Sequence, residues 1–304
     1  MCFNKLDGFL NINKPEEISS YDVIRSLKRV VPRKTKLGHL GTLDPLATGV
    51  LPVAIGRATR VIEYLEDERK VYVAEMVLGA VSDTEDSSGK ISYTGCCQYQ
   101  QDGLLNILTS LQGQIEQIPP MYSALHHQGK RLYQLARQGV TVEREPRSVE
   151  IYSLQLLSQN LEENLPLLTI AVSCSRGTYI RSLCRDIGEK LGTGAYMSRL
   201  VRKGSGVFKI EDSTTLEKIM DEPDSIERIL YPLDYPLQNI PALKLYTAEQ
   251  DMDIINGKCL EWEEAFSSGM ARVYSSKGFL LALAQTKQLG GMILIQPKKV
   301  FIPG

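Results

Sequence analysis

The sequence predicts an α+β protein in two parts, a body of mixed strands and helices followed by a small β-rich module. Three observations point there. Apolar stretches at helical spacing are interspersed with short strand-like runs up to Leu230. Three prolines in ten residues, Pro232, Pro236 and Pro241, then read as a linker. Beyond them, glycine turns separate β-type runs. A chain of 304 residues is long for one core and comfortable for two domains, expected at 1–236 and 241–304.

The elements follow in order. Gly8 to Asn13 is an apolar run ended by Lys14-Pro15, a strand. Ser19-Ser20 opens a helix whose apolar positions, Val23, Ile24, Leu27, Val30 and Val31, share one face, and Pro32 closes it. Lys36 to Gly56 is rich in Gly, Thr and Pro without a clear period, and reads as an ordered loop with short strands. Ala58 to Leu65 reads as a helical turn or two, Lys70 to Leu78 as a strand, and Leu104 to Leu111 as a short helix. Gly129 to Arg137 is another helix, with Gly139 at its C-cap. Val149 to Leu157 and Leu165 to Ser173 read as strands. Thr178 to Leu191 is a helix with Ile180, Leu183, Cys184, Ile187 and Leu191 on one face and Gly192 past its end. Asp212-Ser213 caps one more helix. Arg272 to Leu283 and Met292 to Phe301 are the strands of the tail.

Composition narrows the function. Hydrophobic content of 43% and charged content of 23% are ordinary for a globular protein. No apolar stretch is long enough to span a bilayer, and Met1 to Asp7 lacks the apolar core of a secretion signal, so no membrane association and a cytoplasmic location are expected. The cysteines Cys2, Cys96, Cys97, Cys174, Cys184 and Cys259 form no C-x-x-C pair and read as free, mostly buried thiols. With three histidines, His39, His126 and His127, a zinc site or a Ser-His-Asp triad is poorly supplied, and no metal is expected. A net charge of -1 argues mildly against a nucleic-acid binder. The signs are segregated, however. Arg25, Lys28, Arg29, Arg33, Lys34 and Lys36 run without an intervening acid, Arg199, Arg202 and Lys203 form a second basic run, and acid gathers at Glu66-Asp67-Glu68 and Asp83 to Asp86. That pattern fits either a basic binding face or a set of solvated helix faces.

The densest signal is Gly38-His39-Leu40-Gly41-Thr42-Leu43-Asp44-Pro45-Leu46-Ala47-Thr48-Gly49-Val50-Leu51-Pro52. An Asp-Pro step in a glycine-rich loop is ordinarily a turn, and local chemistry alone favours that reading. The alternative is a carboxylate presented by a stiff loop to a sugar.

The stretch from Gly38 to Arg60 resembles the signature loop of the TruB family of pseudouridine synthases, bacterial type. Asn13-Lys14-Pro15 with Ser19-Ser20 resembles the family's opening motif. Val71-Tyr72-Val73, Leu78-Gly79 and Asp83-Thr84-Glu85-Asp86 resemble its second. Pro119-Pro120-Met121-Tyr122-Ser123-Ala124 with Gly129-Lys130-Arg131 resembles its third. Cys174 to Leu183 resembles its fourth, and Ser198-Arg199-Leu200 through Ser205-Gly206 its fifth. Motifs in order over residues 5 to 210 or so are far more specific than a lone short match. Asn256-Gly257-Lys258, Gly278 to Ala284 and Gln296 to Phe301 more loosely resemble a PUA-like C-terminal module.

The resemblance implies a pseudouridine synthase core with a mixed, largely antiparallel sheet and flanking helices, an active-site cleft across it, and a small β-rich PUA-like domain. It implies isomerisation of the T-loop uridine at position 55 of tRNA after base flipping, without a cofactor. It assigns catalysis to Asp44, to Tyr72 as the ring stacked on uracil, and to Arg181 as the partner of the carboxylate. Tyr179 and Leu200 line the pocket, and His39 meets the RNA near the flipped base. Lys14, Arg60 and Arg202 stand at basic or supporting positions for the substrate. Residues 117–147 resemble a mobile thumb that closes on the RNA arm with Lys130 and Arg131 among its cations. Two departures, His126-His127 and Val201 where basic residues are expected, weaken phosphate contacts without touching the reacting centre. The implied partner is the tRNA T-arm stem-loop, bound by a monomer without guide RNA, and a tRNA-folding chaperone role accompanies the family.

The chemistry suits these residue types. The N1-glycosidic bond breaks, uracil turns over, and C5 bonds to C1′, with no net redox change. A carboxylate attacks C1′ as a nucleophile or takes a proton from C2′ as a base. Either role needs the ionised form, which a nearby arginine favours. A glycoside hydrolase would need two carboxylates flanking the bond, and only Asp44 has a strong placement. A non-catalytic RNA-folding protein would not need Asp44, Tyr72 and Arg181 together, and guide-dependent relatives often carry longer, more basic ends than this tail.

Overall fold

The computed structural model describes residues 6–65, 69–123, 125–127, 129–161 and 165–302. Cys2, the acidic run at 66–68, Ala124 of the third motif, the His127 side chain and the terminal Pro303-Gly304 lie outside the described residues.

Strand β1 (Gly8–Lys14) leads into helix α1 (Ser20–Leu27). Ser19 caps the helix. Its Oγ accepts from the Asp22 amide at 3.1 Å, and its own amide donates to Asp22 Oδ2 at 3.0 Å. Val23, Ile24 and Leu27 bury the face that the spacing predicts, whereas Arg25, Lys28, Arg29, Arg33, Lys34 and Lys36 are all exposed. The segment expected to be an ordered loop with short strands holds the short β2 (Leu37–His39) and a longer buried strand, β3 (Thr48–Ile55). Pro52 conceals it. Its carbonyl accepts from the Leu40 amide at 2.9 Å, so the side on which its N–H is missing faces the point where β2 has ended, and the ladder to β1 loses nothing.

Two short 3₁₀ turns, Gly56–Arg60 and Ile62–Tyr64, precede β4 (Lys70–Leu78), which alternates buried and half-buried residues along its length. A hairpin of β5 (Ala80–Ser82) and β6 (Ile91–Tyr93) leads to helix α2 (Gln101–Ser110) and β7 (Gly113–Gln117). The chain then leaves the sheet in a small hairpin, β8 (His126–His127) and β9 (Lys130–Arg131), followed by α3 (Leu132–Arg137), shorter than its expected span. It returns as β10 (Arg147–Asn160) and β11 (Leu167–Cys174), then helix α4 (Ile180–Leu191), which buries Ile180, Leu183, Cys184 and Ile187.

Strand β12 (Ala195–Ser205) went unread in the sequence. Bulges at Met197/Arg199 and Arg202/Gly204 break its two-residue period, and its cations disguise a central strand. Strands β13 (Phe208–Lys209) and β14 (Thr214–Thr215) lead to helices α5 (Leu216–Asp221) and α6 (Ile226–Ile229). The cap of α5 is Thr215, which accepts from the Lys218 amide at 3.3 Å, rather than the expected Asp212-Ser213, which closes a 3₁₀ turn.

These strands form one sheet in the order β14-β1-β3-β12-β4-β11-β10-β7, with β2 added to β3 and β13 to β12. It is mixed and largely antiparallel, as expected; the parallel pairs are β1–β14 and β3–β12. The β3–β12 seam is brief, Val201 opposite Thr48 and Arg202 opposite Gly49, and joins two antiparallel halves.

A second, five-stranded sheet comprises β15 (Ala242–Lys244), β16 (Leu260–Trp262), β17 (Gly269–Tyr274), β18 (Leu280–Leu289) and β19 (Met292–Val300), with helix α7 (Ala248–Ile255) against it. The expected strand from Arg272 to Leu283 is therefore two strands around a turn, and α7, capped by Thr247, was not anticipated. The proline segment is not a loose tether. Phe9 and Tyr231 exchange backbone hydrogen bonds of 2.9 and 2.8 Å, and Phe208, Tyr231 and Tyr235 pack ring on ring. Phe9, Leu40, Leu237, Leu280, Leu283 and Phe301 share one core, which welds the two sheets together. Of the described cysteines, Cys174 and Cys184 are buried, whereas Cys96 and Cys259 are exposed, against the expectation of mostly buried thiols. Among the described residues no helix is long and apolar enough to cross a membrane.

Candidate active site

Asp44 lies in the loop between β2 and β3, and the chain on both sides of it is pinned. Ser20, at the buried N-terminus of α1, donates its hydroxyl to the Leu43 carbonyl at 3.1 Å and accepts from the Leu43 amide at 2.8 Å. Lys14, at the end of β1, donates to the carbonyls of Pro15 and Ile18 at 2.7 Å each and of Pro45 at 3.1 Å. Leu43 and Ala47 are buried, and the Ala47 amide closes a turn on the Asp44 carbonyl at 3.0 Å. The Asp-Pro turn and the presented carboxylate are thus one object, because the turn is what presents the side chain.

The partner comes from the first turn of α4. Arg181 approaches Asp44 side-on, Nε at 2.8 Å from Oδ2 and Nη2 at 3.1 Å from Oδ1. Its other donors reach the Tyr122 carbonyl at 2.9 Å and the Thr84 carbonyl at 3.0 Å, and Nη1 lies 3.4 Å from Asp86 Oδ2. The guanidinium is 4% exposed, whereas a third of the Asp44 side chain, 33%, stays open. A planar fork held by carbonyls on its far side cannot swing away, so the carboxylate it grips keeps one orientation. Gln117, at the end of β7, fixes the start of this helix, accepting from the Tyr179 amide at 2.8 Å and donating to the Tyr179 carbonyl at 3.0 Å.

Burial pushes the Asp44 carboxyl up from the usual aspartate range, with Arg181 pulling it back and Asp86 adding to the rise. The Tyr72 phenol is also pushed up by burial, against the pull of Arg202. It therefore stays protonated near neutrality and offers a ring and a proton donor rather than a phenolate base. His39 is held below its usual range by burial and by the Arg202 charge, so its imidazole is neutral. Its buried Nδ1 has no protein partner among the described residues.

The expected site residues divide. Asp44 and Arg181 touch, and Tyr72 and Tyr179 lie within range of the Asp44 charge. Leu200 is buried on β12 beside β4. Lys130 and Arg131 are exposed on the β8–β9 hairpin. Three residues expected to meet substrate are engaged elsewhere. Lys14 is 0% exposed, with its ammonium held by three carbonyls. Arg202 is 1% exposed and donates to the carbonyls of Gly41 and Val50. Arg60 donates to the Val300 carbonyl at 2.9 Å and lies over the Phe301 ring, so it binds the second sheet to the first. Sequence reading missed Gln117, and it saw Asp86 only as part of an acidic motif. Nothing local marks a residue whose partner is sixty or more positions away.

Comparison with known proteins places the chain in a family. The model of the TruB family pseudouridylate synthase N-terminal domain matches residues 28–180, and that of the tRNA pseudouridylate synthase B C-terminal domain matches 181–238. The chain belongs to the TruB family. A TruB relative from Syntrophomonas wolfei, tRNA pseudouridine synthase B, is 50% identical over 97% of this chain and 99% of its own length. The protein of the same name from Clostridium acetobutylicum is 45% identical over 95% and 99%. Among solved structures, a chain of a Cbf5-Nop10-Gar1 complex aligns at a TM-score of 0.71 and 27% identity, covering 97% of this chain and 85% of that one. A chain of an H/ACA RNP bound to a substrate RNA containing 2′-deoxyuridine aligns at 0.70 and 25%, with the same coverage. As a TruB-family member, the protein is an isomerase of the pseudouridine synthase class.

Proposed function

We propose that this protein converts the T-loop uridine at position 55 of tRNA to pseudouridine, with Asp44 as the carboxylate that acts on the ribose. Family membership carries the reaction class and the names of the relatives carry tRNA. The single observation that supports the assignment of Asp44 is its side-on pairing with buried Arg181 while a third of its side chain remains exposed. A cation so placed keeps the carboxylate ionised against the cost of burial.

In this reading the target base is flipped out of the loop, at a cost of a few kcal/mol in lost stacking. Tyr72 stacks on the uracil, and Tyr179 and Leu200 close the pocket around it. Asp44 attacks C1′ or removes the C2′ proton, and the N1–C1′ bonding pair leaves with the base. The uracil turns and C5 bonds to C1′, displacing Asp44 from C1′ in the first case, or with the proton returned to C2′ in the second; the C5 proton is lost and N1 is protonated, so atoms and electrons balance without a cofactor. The neutral His39 and its unpartnered Nδ1 support a hydrogen bond to RNA at the cleft edge. The exposed cations of 25–36, together with Lys130 and Arg131, support phosphate contacts along the T-arm. The second sheet, read as a PUA-like module, meets the acceptor side. The enzyme works as a cytoplasmic monomer without guide RNA, and binding by the same basic face supports a tRNA-folding role independent of Asp44.

Tritium release from [5-³H]uridine-labelled tRNA transcript tests the assignment. The parent releases tritium, and Asp44→Asn releases none while still binding tRNA. A folded parent that binds tRNA without release overturns the reading for this substrate.

A further inference from the structure

Among the described residues Arg202 has the bulkiest of the fully buried side chains, and its guanidinium reaches the loop that carries Asp44. Nε donates to the Val50 carbonyl at 2.6 Å and Nη2 to the Gly41 carbonyl at 3.0 Å. These carbonyls stand on opposite shoulders of the loop, one before Asp44 and one after it. The main chain of the same residue makes a second contact. Arg202 lies opposite Gly49 in the parallel seam, so close that a Cβ on Gly49 would sit 2.3 Å from the Arg202 carbonyl oxygen. At Gly41 the head group sets no such limit, since a Cβ there would meet Nη1 at an ordinary contact distance of 3.5 Å; the glycine serves the φ of +93° instead. On its other side Arg202 lies opposite Tyr72 in the pairing of β12 with β4. One residue of the central strand therefore touches both ends of the catalytic loop and the strand bearing the stacking ring.

We propose that Arg202 is a positioning residue, which clamps the two shoulders of the Asp44 loop against β12 and does not itself bind RNA. The proposal rests on the pseudouridine synthase reading. Its physical basis is the shape of the guanidinium. The Nε–Nη2 edge addresses two acceptors at once, whereas a lysine ammonium at the end of a flexible stem offers a single point of donation and cannot hold both shoulders in one register. Ser20 and Lys14 hold the loop beside Asp44, and Arg202 sets where its ends stand relative to Tyr72. Small misplacement of a reacting group is costly to rate and nearly invisible to binding, which separates this role from a phosphate contact.

The test uses full-length protein and labelled tRNA transcript, with Arg202→Lys and Arg202→Met beside the parent and Asp44→Asn. The readouts are the single-turnover rate of tritium release at saturating enzyme, the tRNA Kd by filter binding, and folding by circular dichroism. Arg202→Lys slows the single-turnover step about tenfold to a hundredfold with Kd within about twofold of the parent, and Arg202→Met slows it at least as much. A rate within about threefold of the parent in folded Arg202→Lys overturns the proposal. So does a raised Kd with an unchanged saturating rate, the signature of an RNA contact. If Arg202→Met does not fold, Arg202→Lys decides the matter alone, because it keeps the buried charge. A parent that releases no tritium defeats the functional reading instead, and Asp44→Asn tells the two failures apart.

Discussion

Replacing Arg181 with glutamine removes the cation paired with Asp44 while keeping most of the side-chain volume. The arginine stands 2.8 Å from Asp44 and 3.4 Å from Asp86, so its loss leaves two carboxylates facing the same space. A Coulomb attraction across about 4 Å at an effective dielectric constant near 20 is about 4 kcal/mol, or about three pKa units as an upper bound. Carboxylates beside a cation are generally depressed by about 1–3 units, which is the shift expected to be undone. Asp44 already sits above the usual aspartate range through burial, and the substitution moves it in the same direction. In the role proposed for Asp44 the active form is the carboxylate, so the rate falls as pH drops through this pKa, and raising the pKa moves that limb to higher pH. The assay is single-turnover tritium release between about pH 5 and pH 7.5, below the titration of Lys14 at about 8 and of an unperturbed tyrosine or lysine. Arg181→Gln is expected to shift the acid limb upward by about 1–3 units, losing most activity at low pH and recovering part of it at the alkaline end. A loss by one constant factor at every pH, in protein that folds like the parent, refutes the argument, because it assigns Arg181 a purely geometric role.

Two further predictions concern the frame of the site. Gly49 has φ +101° and its Cβ would sit 2.3 Å from a backbone oxygen, so Gly49→Ala is expected to cost about 2–4 kcal/mol of stability; a urea midpoint implying less than about 1 kcal/mol contradicts the close seam. Burial lowers Lys14 to about 8, below its unfolded value, so the unfolded chain binds the extra proton between pH 8 and 10.5 and the parent's stability rises across that window. Denaturation of the parent and Lys14→Met at the two ends of the window is expected to show the parent gaining relative to the variant, and a flat difference contradicts the burial of the ammonium.

The helices α1 and α4 were legible because each carries its own evidence, an apolar face at helical spacing together with a cap at Ser19 or a glycine at 192. Strand β4 was legible for the same reason at a period of two. Strand β3 was hidden by Gly49 and Pro52, residues that disfavour a strand locally but are accommodated here by the close seam with β12 and by the early end of β2. Strand β12 was hidden by its bulges and charges, although it lies at the centre of the sheet. The proline segment read as a linker because composition reports punctuation and says nothing of the aromatic packing that makes it part of the core.

By itself the sequence determined the family and the pairing expected of Asp44 and Arg181, because motifs record chemistry that depends on residue type in a fixed order. Only the tertiary structure decided what the cations do. Lys14, Arg60 and Arg202 look alike along the chain as basic residues near a substrate site, yet one donates to three carbonyls under the loop, one reaches the second sheet, and one donates to carbonyls on the loop's two shoulders. The physical reason is that a long basic side chain has no local signature of its destination. Whether its charge meets a phosphate or a buried carbonyl depends on which strands lie beside it, and that is set by pairings between residues as distant in sequence as Gly49 and Arg202.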